Sequence, residues 1–175
     1  MVSFSRKRNQ KYKKNVGLFD LTPFSKFDLK GEGSFDELQR ICTANIKSIN
    51  GKTTYTQILN KDGGIEIDCT VVCLEKNYFR IISSAATRER DKFFILNNIS
   101  KDIIFEDVTD KYCCLGVFGP KSRDLLSKIS QDNFSNENFK FGTGKFVKIN
   151  DMKVWAQRLS YVGEIGFELY IETLH

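Results

Sequence analysis

The chain carries a single histidine, His175, at its last position. Histidine-based catalytic triads, multi-histidine zinc sites and haem ligation through histidine are therefore excluded within these residues. Proline is nearly missing as well, with only Pro23 and Pro120. With no internal repeat or low-complexity linker, nothing reads as a hinge, and one domain from about Val16 onward is the simplest organisation. No apolar run approaches the ~18 residues of a membrane span. The N-terminus has charge but no apolar stretch of the kind a secretory signal needs. Glycine-rich phosphate loops are missing too. Gly142-Thr143-Gly144-Lys145 resembles the end of a P-loop, but Phe139 stands where the first glycine belongs and Phe146 where Ser or Thr belongs. Gly31 and Gly33 lack the third glycine of a dinucleotide fingerprint, so no Rossmann unit for flavin or nicotinamide is expected.

What is present suffices for a core. Of 175 residues, 41% are apolar and 15 are Phe, which places the chain among globular proteins rather than disordered ones. Five cysteines, Cys42, Cys69, Cys73, Cys113 and Cys114, form an odd set without C-x-x-C spacing. They read as buried apolar residues in a reducing compartment, and a cytoplasmic location is expected. The net charge is +5. Arg6, Lys7, Arg8, Lys11, Lys13 and Lys14 account for more than all of it, since removing these six leaves −1. No aromatic platform accompanies them, so residues 1–15 read as a solvated basic segment, and neither a nucleic-acid nor a membrane partner is expected.

Three helices are expected. Ser34-Phe35-Asp36-Glu37 has the form of a capping box, with Ser34 at the N-cap and Glu37 reaching back from the third position. Phe35, Leu38, Ile41, Cys42, Ile46 and Ile49 then recur at helical spacing. A second helix starts near Thr87 and carries Phe93, Phe94 and Leu96. A third starts at Gly119-Pro120, where proline costs least. Strands are expected over 55–59, 65–74, 78–83, 103–108, 112–118, 145–149, 153–160 and 167–171. Asn60-Lys61-Asp62-Gly63-Gly64 closes one hairpin and Asn150-Asp151 another. The fold class is α+β, with mostly antiparallel pairing.

Two stretches combine polar residues with glycine: residues 55–68, and residues 158–168 with Tyr161, Gly163, Glu164 and Glu168. On pattern alone, Glu66, Asp68 and Thr70 are the outward face of an amphipathic strand, Glu164 is a loop charge and Glu168 faces solvent.

These stretches also belong to a longer series of blocks. Gly17-Leu18-Phe19-Asp20, residues 55–68, Val108-Thr109, Gly119-Pro120-x-Ser122-Arg123 and residues 161–168 occur in order and with matching spacing. In this the chain resembles the folate-binding domain of the aminomethyltransferase family, typified by the glycine cleavage T-protein, from Val16 to about Glu172. Leu21-Thr22-Pro23-Phe24-Ser25-Lys26-Phe27, Asp132 to Glu137 and Val162-Gly163-Glu164 resemble the C-terminal folate-binding region of dimethylglycine and sarcosine dehydrogenases more than T-proteins.

The resemblance implies a tetrahydrofolate-binding domain for one-carbon transfer from an N-methyl or aminomethyl donor, giving 5,10-methylenetetrahydrofolate. By resemblance Asp68 is the catalytic carboxylate, and Tyr55, Asn60, Tyr161 and Glu168 bind folate. Glu168 would accept two hydrogen bonds from the pterin in a fork. Asp68 would take the proton released as the new bond forms and stabilise the cationic one-carbon unit. FAD is expected only on an upstream domain that this chain lacks, and the partners are folate, a small N-methyl amine or its iminium, and a flavin dehydrogenase domain or subunit. The resemblance also implies that residues 16–175 are a truncated form of the family domain, lacking a downstream arginine and a final small barrel, with an unpaired strand edge or apolar surface exposed near 167–174. Ser84 stands where T-proteins have Asn. A glycine cleavage T-type enzyme and a non-catalytic regulatory relative remain alternatives, although retention of Asp68 and Glu168 speaks against the second. Relatives that assist iron–sulfur assembly or tRNA modification carry a Cys before the Tyr-x-Gly motif, and here Ser160 precedes Tyr161.

Geometry adds one expectation. A simple closure around residues 60–64 would set Thr56 opposite Asp68 and send Tyr55 to the other face. For Tyr55 and Asp68 to share a pocket, as the resemblance implies, the glycine pair must introduce a bulge or Asp68 must lie beyond the regular ladder, and an irregularity near Gly63-Gly64 is expected.

Overall fold

The computed structural model describes residues 14–173. Apart from Lys14, the basic cluster at the N-terminus lies outside the described residues. The chain divides into two compact units, a central one of Pro23–Lys111 and a terminal one of Met1–Thr22 with Tyr112–His175.

The central unit is a five-stranded sheet in the order β3-β4-β5-β2-β6. Its strands are β2 (Ser25–Lys30), β3 (Thr53–Leu59), β4 (Ile65–Glu75), β5 (Tyr78–Ser83) and β6 (Ile104–Asp107), and every pair is antiparallel. Alternation along the strands sends Phe27, Leu29, Ile58, Ile67, Val71, Phe79 and Ile81 to one face. There they pack with Leu38 of helix α1 (Ser34–Ile41) and Ile95 of helix α2 (Arg88–Asn98). Each such side chain contributes roughly 1.5–3 kcal/mol by leaving water.

The other face is polar. Arg80 donates to Asp28 through Nε at 2.7 Å and Nη2 at 3.0 Å, and the Tyr78 hydroxyl adds a bond of 2.5 Å. Both members of this ion pair are buried. Three charge-assisted bonds offset the cost of taking Asp28 out of water.

The terminal unit is a second five-stranded sheet, ordered β1-β7-β10-β9-β8. It comprises β1 (Gly17–Asp20), β7 (Tyr112–Phe118), β8 (Gly144–Ile149), β9 (Met152–Gln157) and β10 (Gly166–Glu172), again all antiparallel. Its core joins Val117, Val147, Val154, Phe167 and Leu169 to Leu126 of the short helix α3 (Ser122–Leu126) and to Phe134 and Phe139. The rings of Phe134 and Phe139 meet Phe167 edge-on, each at 5.4 Å between centroids. Asn150, in the left-handed region at φ 50, turns β8 into β9 within two residues.

The α+β class with antiparallel pairing is as expected, and so are the hairpins. Four details differ. Ser34 does not cap its helix: Gly33 is the N-cap at φ 87, its carbonyl takes the Glu37 N–H at 2.9 Å, and the Ser34 Oγ is buried without a partner. Glu37 pairs instead with Arg40. The helical spacing through Ile49 is not a helix. It ends at Ile41, because Cys42 turns extended and bridges Ile58 while Thr43 N–H donates to the Gln57 carbonyl at 2.9 Å. The open edge of β3 competes successfully for this backbone. β1 and β2 are strands that pattern reading passes over, since β1 has only four residues and half of β2 is charged. Finally, β10 is no edge. It lies between β7 and β9 in the sheet and is buried over Gly166–Tyr170.

Replacing Asp28 with Ala strands the Arg80 charge in a buried site, and urea unfolding should show a loss of about 3–5 kcal/mol. A loss below about 1 kcal/mol would mean that water reaches the pair.

Candidate functional site

An irregularity occurs close to the expected place, at Glu66 rather than in the Gly63-Gly64 pair, and it sets which side chains share a face. β3 and β4 pair Ile58 with Ile67 and then Leu59 with Ile65, so Glu66 is an extra residue opposite no partner. Beyond this bulge the register is shifted by one: Gln57 faces Asp68, Thr56 faces Cys69 and Tyr55 faces Thr70. Because side chains alternate, Tyr55, Gln57, Asp68 and Thr70 all stand on the polar face, while Thr56, Ile58, Ile67 and Cys69 are buried on the other.

Asp68 is exposed and is the hub of this group. Its Oδ1 accepts from the Gln57 amide at 2.9 Å, and its carboxylate also accepts from the Tyr55 hydroxyl. The hydrogen bond to Asp68 pushes the Tyr55 phenol above its ordinary value, because ionisation would break that bond and set two negative charges together. Gln57 went unassigned in the sequence reading. Its signal was available, since it stands two residues from Tyr55 on the same strand. The same face continues along the row Tyr55–Thr70–Ile82–Lys26. Lys26 is fully buried, and its ammonium donates to the Phe24 carbonyl at 2.7 Å.

Asn60 sits in the hairpin loop, where its carboxamide is engaged locally. Oδ1 accepts from Asp62 N–H at 3.0 Å and Gly64 N–H at 2.8 Å, and Nδ2 donates to Glu66 at 3.0 Å.

Glu168 belongs to the terminal unit, on β10. It does not face solvent as strand patterning suggests, but is 6% exposed. Its Oε2 accepts from the Tyr170 hydroxyl at 2.8 Å and from the Gln157 amide at 3.4 Å. Gln157 in turn accepts from the Trp155 indole at 3.1 Å. Burial, with the Glu168 charge beside it, pushes the Tyr170 phenol well above 10.0, so it stays protonated as a donor. Sequence reasoning missed Tyr170 and Gln157. Tyr170 is two positions from Glu168, and period-two spacing alone identifies it. Tyr161 lies in the β9–β10 connection and is exposed, next to Gly163 at φ 73.

The surroundings of Glu168 are closely packed. The carboxylate is held by donors on one oxygen. Gly116, directly opposite it, and Gly166, two residues before it, leave room for the Phe118 ring. A Cβ would approach that ring to 2.6 Å at Gly116 and 2.2 Å at Gly166. A cleft of about 300 Å³ bordered by Cys42, Ile58 and Phe94 contains none of the site side chains. The structure thus brings Tyr55 and Asp68 together in the central unit and places Tyr161 and Glu168 in the terminal one.

Two outcomes follow for the phenols. Asp68→Ala should lower the Tyr55 ionisation toward 10.0, read from phenolate absorbance against a Tyr55→Phe blank. Tyr170 is protonated more tightly folded than unfolded, so its contribution to stability is full below 10.0 and is lost as the pH rises from there through the higher folded value. Tyr170→Phe should flatten that alkaline decline in a pH series of urea unfolding curves.

The model of the GCVT N-terminal domain family matches residues 2–175. The chain is 37% identical over 160 residues to a 4-methylaminobutanoate oxidase (formaldehyde-forming) of Paenarthrobacter nicotinovorans, covering 90% of this chain and 19% of that protein. It is 35% identical to the mitochondrial dimethylglycine dehydrogenase of Rattus norvegicus, covering 89% and 18%. It is 32% identical to an aminomethyltransferase of Caldanaerobacter subterraneus subsp. tengcongensis, covering 91% and 43%. The chain therefore spans about a fifth of the first two relatives and less than half of the third. The glycine cleavage system aminomethyltransferase T from Bartonella henselae shares the fold, with a TM-score of 0.80 at 20% identity, over 94% of this chain and 44% of that one. With its whole described length inside the matched region, the chain belongs to the GCVT N-terminal domain family.

Proposed function

We propose that this chain binds tetrahydrofolate and serves one-carbon transfer from an N-methyl or aminomethyl donor, yielding 5,10-methylenetetrahydrofolate, in the manner of a dimethylglycine or sarcosine dehydrogenase. The observation that carries the reading is the register shift at Glu66, which sets Asp68 on one face with Tyr55 and Gln57.

Tetrahydrofolate, when bound, supplies the nitrogens that accept the one-carbon unit. The chain's own residues hold charge and move a proton. The one-carbon unit bonds to two folate nitrogens in turn while its bond to the donor nitrogen breaks. Of the two N–H protons released, one leaves with the departing amine and the exposed Asp68 carboxylate takes the other and passes it to water. The same negative charge favours a cationic one-carbon unit beside it. Gln57 and Tyr55 donate to Asp68 and fix its orientation. Glu168, held through one carboxylate oxygen by Tyr170 and Gln157, orients the pterin through its N–H donors. Tyr55 and Tyr161, both exposed aromatics, supply apolar wall. FAD chemistry, where the donor requires oxidation, resides in a separate flavin dehydrogenase domain or subunit. The aminomethyltransferase relative supports a second reading, in which the donor is an aminomethyl group and no oxidation is needed.

The test pairs binding with transfer, using a flavin dehydrogenase that oxidises sarcosine or dimethylglycine as the one-carbon source. Asp68→Asn should keep tetrahydrofolate affinity, since shape survives, and lose transfer. Glu168→Ala should weaken binding itself by about 2–3 kcal/mol, the value of a charge-assisted fork. Full transfer by Asp68→Asn, or unchanged affinity in Glu168→Ala, would overturn the assignment.

A further inference from the structure

The bulge that sets Asp68 in place is itself held by three side chains with no direct part in the proposed chemistry. Glu66, the extra residue, is fastened at both its side chain and its backbone. Its Oε1 accepts from Asn60 Nδ2 at 3.0 Å. Its carbonyl accepts from the Arg90 guanidinium, a side chain brought to the bulge by helix α2. Asn60 then fastens the loop from within. Its Oδ1 accepts from two backbone N–H groups, those of Asp62 and Gly64, and its own N–H donates to the Gly64 carbonyl at 2.8 Å. The loop has closed tightly around this carboxamide. A Cβ at Gly64 would stand 2.9 Å from Asn60 Nδ2, and Gly63 holds φ 79 to make the turn.

On the far side of the bulge the ladder is fixed independently. Cys69, Val71 and Cys73 of β4 are buried in the core and pair along β5. The strand cannot slide there without turning core side chains outward. The one-residue mismatch between this fixed ladder and a five-residue loop is therefore absorbed at Glu66. Asp68 follows it by two residues, at the point where the ladder becomes regular.

We propose that Asn60, Glu66 and Arg90 form a clamp that fixes the bulge and thereby positions Asp68 beside Tyr55 and Gln57. Asn60 then acts on the reaction through Asp68 rather than by touching folate. The consequence for transfer rests on the function proposed above, whereas the consequence for register does not.

The experiment compares Asn60→Ala, Glu66→Ala and the conservative Glu66→Gln, with Arg90→Ala at an exposed side chain that also pairs with the buried Asp91 at 3.6 Å, so folding of every variant is checked by urea unfolding before either readout. Two readouts are taken on the folded proteins. The first is the Tyr55 phenol titration, followed by NMR on protein labelled with 13C-tyrosine, which reports the Tyr55–Asp68 contact without any ligand. The second is kcat and KM for tetrahydrofolate in the transfer assay. The clamp requires Asn60→Ala, Glu66→Ala and Arg90→Ala to titrate Tyr55 at lower pH than the parent. It also requires kcat to fall by about tenfold or more through misplacement of Asp68, with KM for tetrahydrofolate nearly unchanged. Glu66→Gln keeps an acceptor for Asn60 and should retain both properties. An unshifted Tyr55 in Asn60→Ala and Arg90→Ala would overturn the clamp. So would a raised KM with an unshifted Tyr55 in Asn60→Ala, which would make Asn60 a direct folate contact. If the parent protein shows no transfer at all, the proposed function fails, and the Tyr55 titration still decides the clamp.

Discussion

A β-strand sends alternate side chains to opposite faces, so the insertion of a single residue exchanges the faces of everything beyond it. In this protein the inserted residue is Glu66. Without it, closing the 60–64 loop would pair Thr56 with Asp68 and leave Tyr55 pointing into the helix-covered face. With it, Tyr55, Gln57, Asp68 and Thr70 share the polar face, and Ile58, Ile67 and Cys69 share the core. One irregularity thus satisfies two demands. The hydrophobic side of the hairpin stays aligned with Leu38 and Ile95, and the carboxylate meets its two donors. The demands reinforce each other, because the apolar residues that fix the register from below also fix the face on which Asp68 stands.

The two carboxylates of the proposed chemistry, one in each unit, are held in opposite ways, and the difference matches the roles proposed for them. Asp68 is exposed, with an amide and a phenol as donors. A group that must take a proton and release it to water is served by such a position. Glu168 is buried between strands, and its neighbours compensate for lost hydration: Tyr170 and Gln157 donate to one oxygen, and Trp155 steadies Gln157. A carboxylate that must hold a fixed orientation is served by that. The burial that fixes Glu168 also suppresses ionisation of Tyr170, which preserves the donor on which the carboxylate depends.

Much of this was legible before any coordinates. The loops at residues 60–64 and 150–151 declare hairpins through Asn, Asp and Gly, and once the family resemblance puts Tyr55 and Asp68 in one pocket, their spacing across the first loop calls for an irregularity. Local rules failed where longer-range pairing took over. Ser34 to Glu37 satisfies the capping pattern, but Gly33 can adopt φ 87 and takes the N-cap position. Ile46 and Ile49 keep helical spacing with Leu38, yet the exposed edge of β3 captures Cys42 and Thr43 as extended chain. Ser25 to Lys30 alternates as a strand should, but its Lys and Asp suggest a solvated face. In the fold, Asp28 is buried with Arg80 and Tyr78, and a lone sequence cannot show that such partners arrive from another strand. For the same reason Glu168 reads as a surface residue until Gln157 and Tyr170 are seen beside it.

The division of labour between fold and site also follows from the registers. Antiparallel sheets of this kind serve many functions, and their topology alone assigns none. What distinguishes this chain is that each unit builds one carboxylate centre from its own adjacent strands. β3 and β4 supply Tyr55, Gln57 and Asp68, while β9 and β10 supply Trp155, Gln157, Glu168 and Tyr170. Each centre is set by pairings only one strand apart, so the internal geometry of each is a local property. A substitution that loosens one hairpin therefore disturbs one carboxylate and its donors while leaving the other centre's hydrogen bonds in place. That separability allows the proton-handling and ligand-orienting parts of the proposed chemistry to be taken apart residue by residue.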